Sequence, residues 1–184
     1  MELKHYKPII FCSGISKEQL SFSPEFLEFW TLRFTQTNEI INKADIVLSF
    51  KQDSILAAGL LTEFPLELNL VDIVHKISPL NLSYIEQLFE TEAEQKEMIQ
   101  LVRKELTLNI EELIMAMKKN DSQQIKQSAH KLSSKLLVLS IPVADELRFL
   151  EMNPRNVQSE VVQEKYFLLK MHCLIRLWQI QDIE

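Results

Sequence analysis

Ile99-x-x-Val102-x-x-x-Leu106-x-x-x-Ile110-x-x-Leu113-x-x-x-Met117, then Lys119-Asn120-Asp121-Ser122, then Ile125-x-x-x-Ala129-x-x-Leu132-x-x-x-Leu136-x-x-Leu139: this stretch decides the fold class. Spacings of three and four place each apolar set along one face of an α-helix, because a turn takes about 3.6 residues. Between the sets, Asp121-x-x-Gln124 has the form of a helix start. The spacing predicts helices over 92–119 and 122–139, and the short turn between them suits antiparallel neighbours. Upstream, Thr91-x-x-Glu94 and Ser83-x-x-Glu86 also have the capping-box form, the second at the expected start of a short helix at 83–90. Downstream, Pro142 suits a first helical turn and opens a helix reaching about Met152. A last helix follows Asn153-Pro154 over 157–181, with a looser stripe of Val161, Leu168, Met171, Ile175 and Trp178. Residues 79–184 thus read as an antiparallel four-helix bundle.

The first 78 residues read differently. Residues 7–12 and 44–50 are short apolar runs rich in Ile and Val, the pattern of buried strands. Between them, Phe26, Phe29, Trp30 and Phe34 sit at helical spacing, which predicts a helix over 24–34 packed on a small sheet. A second helix is predicted over 54–62. The fold class is therefore mainly α, with a small α/β unit (1–78) preceding the bundle (79–184).

Composition removes several function classes. Among 184 residues there are only two glycines, Gly14 and Gly59, against roughly a dozen at average usage. Phosphate-cradling loops need several glycines for close backbone approach, so a P-loop, a Rossmann fingerprint and a kinase glycine loop are excluded. The net charge of −6 argues against a nucleic-acid footprint, which is basic and clustered. The longest uncharged runs, among them 8–16 and 136–144, fall well short of the roughly 18 residues of a membrane span. No apolar signal core opens the chain, and Cys12 and Cys173 lie far apart, so a reduced, cytoplasmic setting is expected. No metal-ligand spacing stands out. Asp72-x-x-His75 occurs once without partners, and His5 and His172 sit in ordinary contexts.

His130 is the residue that carries chemistry. It follows Ala129 of the core stripe by one step of about 100°, so its imidazole projects from the flank of the helix. Lys126, Gln127, Ser133 and Ser134 share that face at i±3 and i±4. The two serines leave room for another protein to reach the ring. Lys126, with Lys131 and Lys135 from the side, is expected to bring positive charge to where a phosphoryl group would sit. An unperturbed histidine titrates near ~6.5, so at neutral pH it is largely a neutral nucleophile.

Ser128-Ala129-His130-Lys131-Leu132-Ser133-Ser134 resembles the signature of histidine-containing phosphotransfer (HPt) domains, which read Ala-His-x-Leu-Lys-Gly-Ser or close variants. The likeness extends to Asn81-Leu82-Ser83-Tyr84-Ile85, which resembles that family's opening helix. Lys118-Lys119-Asn120-Asp121 resembles its turn before the histidine helix. Ile141-Pro142 with Leu147 and Glu151 resembles the segment after it. The family fold is the four-helix bundle already inferred. The resemblance implies that His130 is the phosphorylated residue, accepting a phosphoryl group from the phospho-aspartate of a receiver domain and passing it to another. It implies receiver domains or a hybrid histidine kinase as partners, no cofactor of the chain's own, and Mg²⁺ supplied by the receiver. A phosphocarrier, not an enzyme, is expected. Two positions depart from the family: its lysine and glycine, three and four residues after the histidine, are here Ser133 and Ser134. A chain that docks receivers or kinases without carrying phosphate is the alternative.

The amino-terminal part also resembles a signalling domain. Pro8-Ile9-Ile10-Phe11-Cys12-Ser13-Gly14 is similar to the fourth strand and turn of receiver domains, and Ala44-Asp45-Ile46-Val47-Leu48-Ser49 to the fifth. The resemblance implies the carboxy-terminal half of a receiver, without its phospho-accepting strand or acidic metal pocket.

Overall fold

The computed structural model describes residues 3, 6–35, 45–51, 54–57, 60–63, 69–181 and 183. They form two compact units, Lys7–Pro79 and Leu80–Glu184, and Tyr6 belongs to the second. The protein is mainly helical, with seven α-helices among the described residues. No helix among the described residues is long and apolar enough to cross a membrane.

In Lys7–Pro79, a five-stranded sheet has the order β2-β1-β3-β4-β5. The strands are β1 (Ile9–Ser13), β2 (Thr31–Thr35), β3 (Ile46–Lys51), β4 (Ser54–Ala57) and β5 (Leu60–Glu63). β1 pairs in parallel with β2 and β3, whereas β3-β4 and β4-β5 are antiparallel. Asp45 extends the β1–β3 contact: its amide donates to the Ile9 carbonyl, and its buried carboxylate accepts the Ile9 amide at 2.7 Å. Ile10, Cys12, Ile46 and Leu48 are wholly buried. Helix α1 (Pro24–Phe29) is capped by the Ser23 hydroxyl and begins with proline, a residue that fits the first helical turn.

Three sequence expectations are corrected here. The aromatic helix does not run to Phe34. It stops at Phe29, and residues 31–35 become β2, because β1 has a second edge whose backbone groups need partners. Phe26 and Trp30 still pack in the core, their ring centroids 6.3 Å apart. Residues 54–62 are not helical but form β4 and part of β5. A short apolar run fits either state, and strand-helix arbitration by periodicity fails at this length. Here Leu48 pairs with Ala57, and Ala57 pairs with Leu60 two residues before Thr62, so tertiary pairing decides. Helix α2 (Leu70–Ile77), unanticipated, is capped by the Asn69 side chain and buries Leu70, Ile73 and Val74. It carries Asp72 and His75. The Ala44 end of the second predicted strand lies outside the described residues.

In Leu80–Glu184 the helices are α3 (Ser83–Leu88), α4 (Glu92–Lys119), α5 (Ser122–Val138), α6 (Ala144–Met152) and α7 (Glu160–Gln179). α4 opens on the Thr91/Glu94 capping box and ends at Asn120, whose left-handed backbone (φ 54°) is tolerated by asparagine. The next residue, Asp121, accepts the Gln124 amide and caps α5 at 3.0 Å. Every member of the two stripes, Ile99 to Met117 and Ile125 to Leu139, is buried. α4 packs on α5, α5 on α6, α6 on α7, and α7 returns to α4, with α3 also on α4. Pro142 precedes α6 instead of opening it, in a segment pinned by buried Ile141 and Val143. The Ser159 cap starts α7 later than the periodicity suggests. Val162 therefore faces inward and Val161 is exposed.

His172, on α7, is buried, and this lowers its pKa below the ordinary value, with the Arg176 charge adding to the effect and Glu146 opposing it. The unfolded ring takes up its proton near pH ~6.5 and the folded ring only at lower pH. This contribution to stability is complete above that pH and declines as pH falls toward the folded value. Urea titrations at several pH values are expected to show a shallower acid-side loss for His172→Gln than for the parent. Leu132→Ala, at a wholly buried position, should cost about 2–5 kcal/mol in the same experiment. Leu137→Ala, five residues on but exposed, should stay within about 0.5 kcal/mol.

Candidate functional site

The buried stripe of α5 determines which neighbour each of its other residues meets. With Ile125, Ala129, Leu132 and Leu136 turned inward, residues 130 and 131 leave the helix about 100° apart, toward different sides. His130 turns to α6, where its Nδ1 lies 3.0 Å from Oε1 of Glu151. Lys131 turns to α4 and pairs with Glu112 at 2.9 Å. Lys135, one turn further, pairs with Glu105 of α4 at 2.7 Å.

The His130 side chain is 77% exposed, so the ring is open to a macromolecular partner. An ionised carboxylate only accepts hydrogen bonds, so its contact with Nδ1 assigns the proton of the neutral ring to that nitrogen. Nε2 then holds the lone pair, and it has no hydrogen-bond partner among the described residues. Glu151 thereby orients the ring and selects its tautomer, the role that a second carboxylate plays for histidine bases and ligands generally.

A cleft of about 750 Å³ adjoins this pair, lined by Ser122, Lys126, Glu151, Met152, Asn153 and Arg155 among others. Of the expected site residues, Lys126 thus shares a cleft with the partner of His130. Gln127, Ser133 and Ser134 are exposed on α5. Lys131 and Lys135 do not converge on the histidine as expected, because each is drawn to an α4 carboxylate on the far side of the helix. Arg155 was not anticipated. It follows α6 in an irregular segment, and only the fold brings it to the cleft that Lys126 also lines. Leu137, seven residues after His130 and so on the same face, adds an exposed apolar side chain.

No family model, curated protein or solved structure matches the chain. The site therefore stands on its own geometry. Among the described residues, no group of three or more His, Cys, Asp or Glu side chains is arranged to hold a metal ion. Cys12 and Cys173 are buried free thiols, and burial pushes each up to about 12. Neither is a thiolate at neutral pH. His130 is an exposed histidine whose Nδ1 is engaged by a carboxylate. The pair sits in water-exposed surroundings, so its worth to stability is small, about 0–1 kcal/mol. Long-range ¹H–¹⁵N spectra at neutral pH are expected to show the His130 proton on Nδ1. In Glu151→Ala that preference should be lost, with the unfolding midpoint nearly unchanged. A parent protein with its proton on Nε2 would overturn the tautomer assignment.

Proposed function

We propose that this chain is a phosphocarrier of the HPt type, a phosphorelay intermediate of two-component signalling that carries its phosphoryl group on His130. The observation that carries this reading is the exposed His130 ring, with Nδ1 held by Glu151 and Nε2 open to a partner. The motif around His130 and the ring of packed helices α4 to α7 support the same reading. An antiparallel bundle is the arrangement we infer for those helices. Along α5 from Lys131 to Lys135, the paired residue on α4 moves backward from Glu112 to Glu105, as antiparallel neighbours require.

The chemistry follows from the tautomer. Nε2 attacks the phosphorus of a receiver's phospho-aspartate, the N–P bond forms, and the bond from phosphorus to the aspartyl oxygen breaks, returning that carboxylate. The ring keeps its Nδ1 proton and gains positive charge as the bond forms. Glu151, already within hydrogen-bond distance, stabilises that charge without having to move. The reverse attack by another receiver's aspartate discharges the ring. The partner supplies Mg²⁺, and positioning with charge neutralisation does the rest. Lys126 and Arg155 are the cations we assign to the phosphoryl oxygens, standing in for the lysine that the family carries where this chain has Ser133. Ser133, Ser134, Gln127 and Leu137 form the surface that meets the receiver. The implied setting is the cytoplasm, and the partners are receiver domains or a hybrid histidine kinase, with no nucleic acid or membrane involved.

A second reading, a docking module without transfer, draws on one observation: Lys131 and Lys135 are engaged by Glu112 and Glu105. The two readings separate in one assay. Purified protein is mixed with Mg²⁺ and a panel of phosphorylated receivers, and phosphosites are mapped under alkaline conditions that preserve phosphohistidine. The carrier reading expects label on His130, none on His130→Gln, and transfer slowed on the order of tenfold by Lys126→Ala. Receiver binding without label would establish the docking reading instead.

A further inference from the structure

Helix α4 has a second apolar surface, on the side away from its buried stripe. Leu101, Leu108 and Met115 are 52%, 46% and 41% exposed, although each is a large apolar side chain. Single exposed leucines are ordinary on protein surfaces. These three repeat at an interval of seven, two heptads on one helix, and they form a ridge along its solvent side. Leu108 stands about 200° around the helix from Leu106, which is wholly buried. A seven-residue repeat is the pattern by which one helix meets another along a seam.

Charge identifies the second helix. Beside the ridge runs a row with the same seven-residue interval: Glu97, Lys104, Glu111 and Lys118, of which Lys118 also lies 5.3 Å over the Tyr6 ring. When two copies of α4 meet antiparallel about a twofold axis at Leu108, this row meets itself in reverse. Lys104 then faces Glu111 of the second copy and Glu97 faces its Lys118, four opposite-charge pairs in all. The apolar register is the same one: Leu108 meets Leu108, and Leu101 meets Met115. On the other flank Glu105 faces Glu112 of the second copy, two like-charge contacts against those four opposite-charge pairs. A parallel pairing instead gives two opposite-charge contacts, Lys104 beside Glu105, against four like-charge ones, Glu111 beside Glu112 and Lys118 beside Lys119. We propose that the ridge of Leu101, Leu108 and Met115 on α4 is a self-association surface, joining two copies of this chain through antiparallel α4 helices.

Three side chains per copy cover less than the roughly 1,000 Å² of a stable interface, which makes the dimer weak and concentration-dependent. The ridge lies on α4 and His130 turns to α6, so a dimer leaves the histidine open. This proposal does not depend on the phosphocarrier reading. The test is sedimentation velocity of the full chain over the roughly micromolar to millimolar range, with circular dichroism to establish that each variant is folded. The parent is expected to dimerise reversibly and Leu108→Glu to stay monomeric. Lys104→Glu and Glu111→Lys, each alone, should raise the dissociation constant roughly tenfold, because two attractive pairs become repulsive. An equimolar mixture of those two variants should regain the parent affinity, since every facing pair is again opposite in sign. A parent that stays monomeric throughout, or a dimer indifferent to Leu108→Glu, overturns the proposal. A mixture with no mutual rescue overturns the antiparallel register, and with it the assignment of this ridge to a second copy.

Discussion

The site depends on how α5 is wedged between α4 and α6. Its inward stripe of Ile125, Ala129, Leu132 and Leu136 leaves the helix no rotational freedom, since turning it by one residue would bury His130 and expose Ala129. With that rotation set, the adjacent residues His130 and Lys131 fall to opposite neighbours. One meets Glu151, the other Glu112. The separation of the histidine from two of its nearest lysines is thus a consequence of core packing.

That separation gives the ring its character. A lysine cluster around His130 would have offered cations to an incoming phosphoryl group. The observed neighbour is a carboxylate on the Nδ1 side of the ring; in the carrier reading proposed above it holds the Nδ1 proton and answers the positive charge that develops when Nε2 attacks. Two cations, Lys126 and Arg155, line a cleft together with Glu151. Ring orientation comes from α6, and in the proposed carrier the charge for the phosphoryl oxygens comes from the amino-terminal half of α5 and from the segment after α6.

The helical half of the chain was legible from its residues because long amphipathic stripes and capping boxes are local signals. Thr91/Glu94 and Asp121/Gln124 mark helix starts, and the buried sets at 99–117 and 125–139 are those that the spacing identifies. The sheet was less legible. Ile55-Leu56-Ala57 and Leu60-Leu61-Thr62 suit a helix as well as strands, and what decides is pairing with the preceding strand β3, which ends at Lys51. Phe34 left the aromatic helix for the same reason. At the site, position on the helix was enough to bring His130 out of the core. Glu151 and Arg155 lie 21 and 25 residues further on, so their convergence on the α5 surface is a property of the fold alone.

The measurement that tests the central claim most directly is the position of the phosphoryl group on the ring. Isotope-labelled protein, charged by a phosphorylated receiver, is observed by ¹H, ¹⁵N and ³¹P NMR, with phosphorus coupling reporting the bonded nitrogen. The account predicts a single phosphohistidine, His130, with phosphorus on Nε2 and the proton still on Nδ1. A phosphoryl group on Nδ1, or on any other residue, would contradict it.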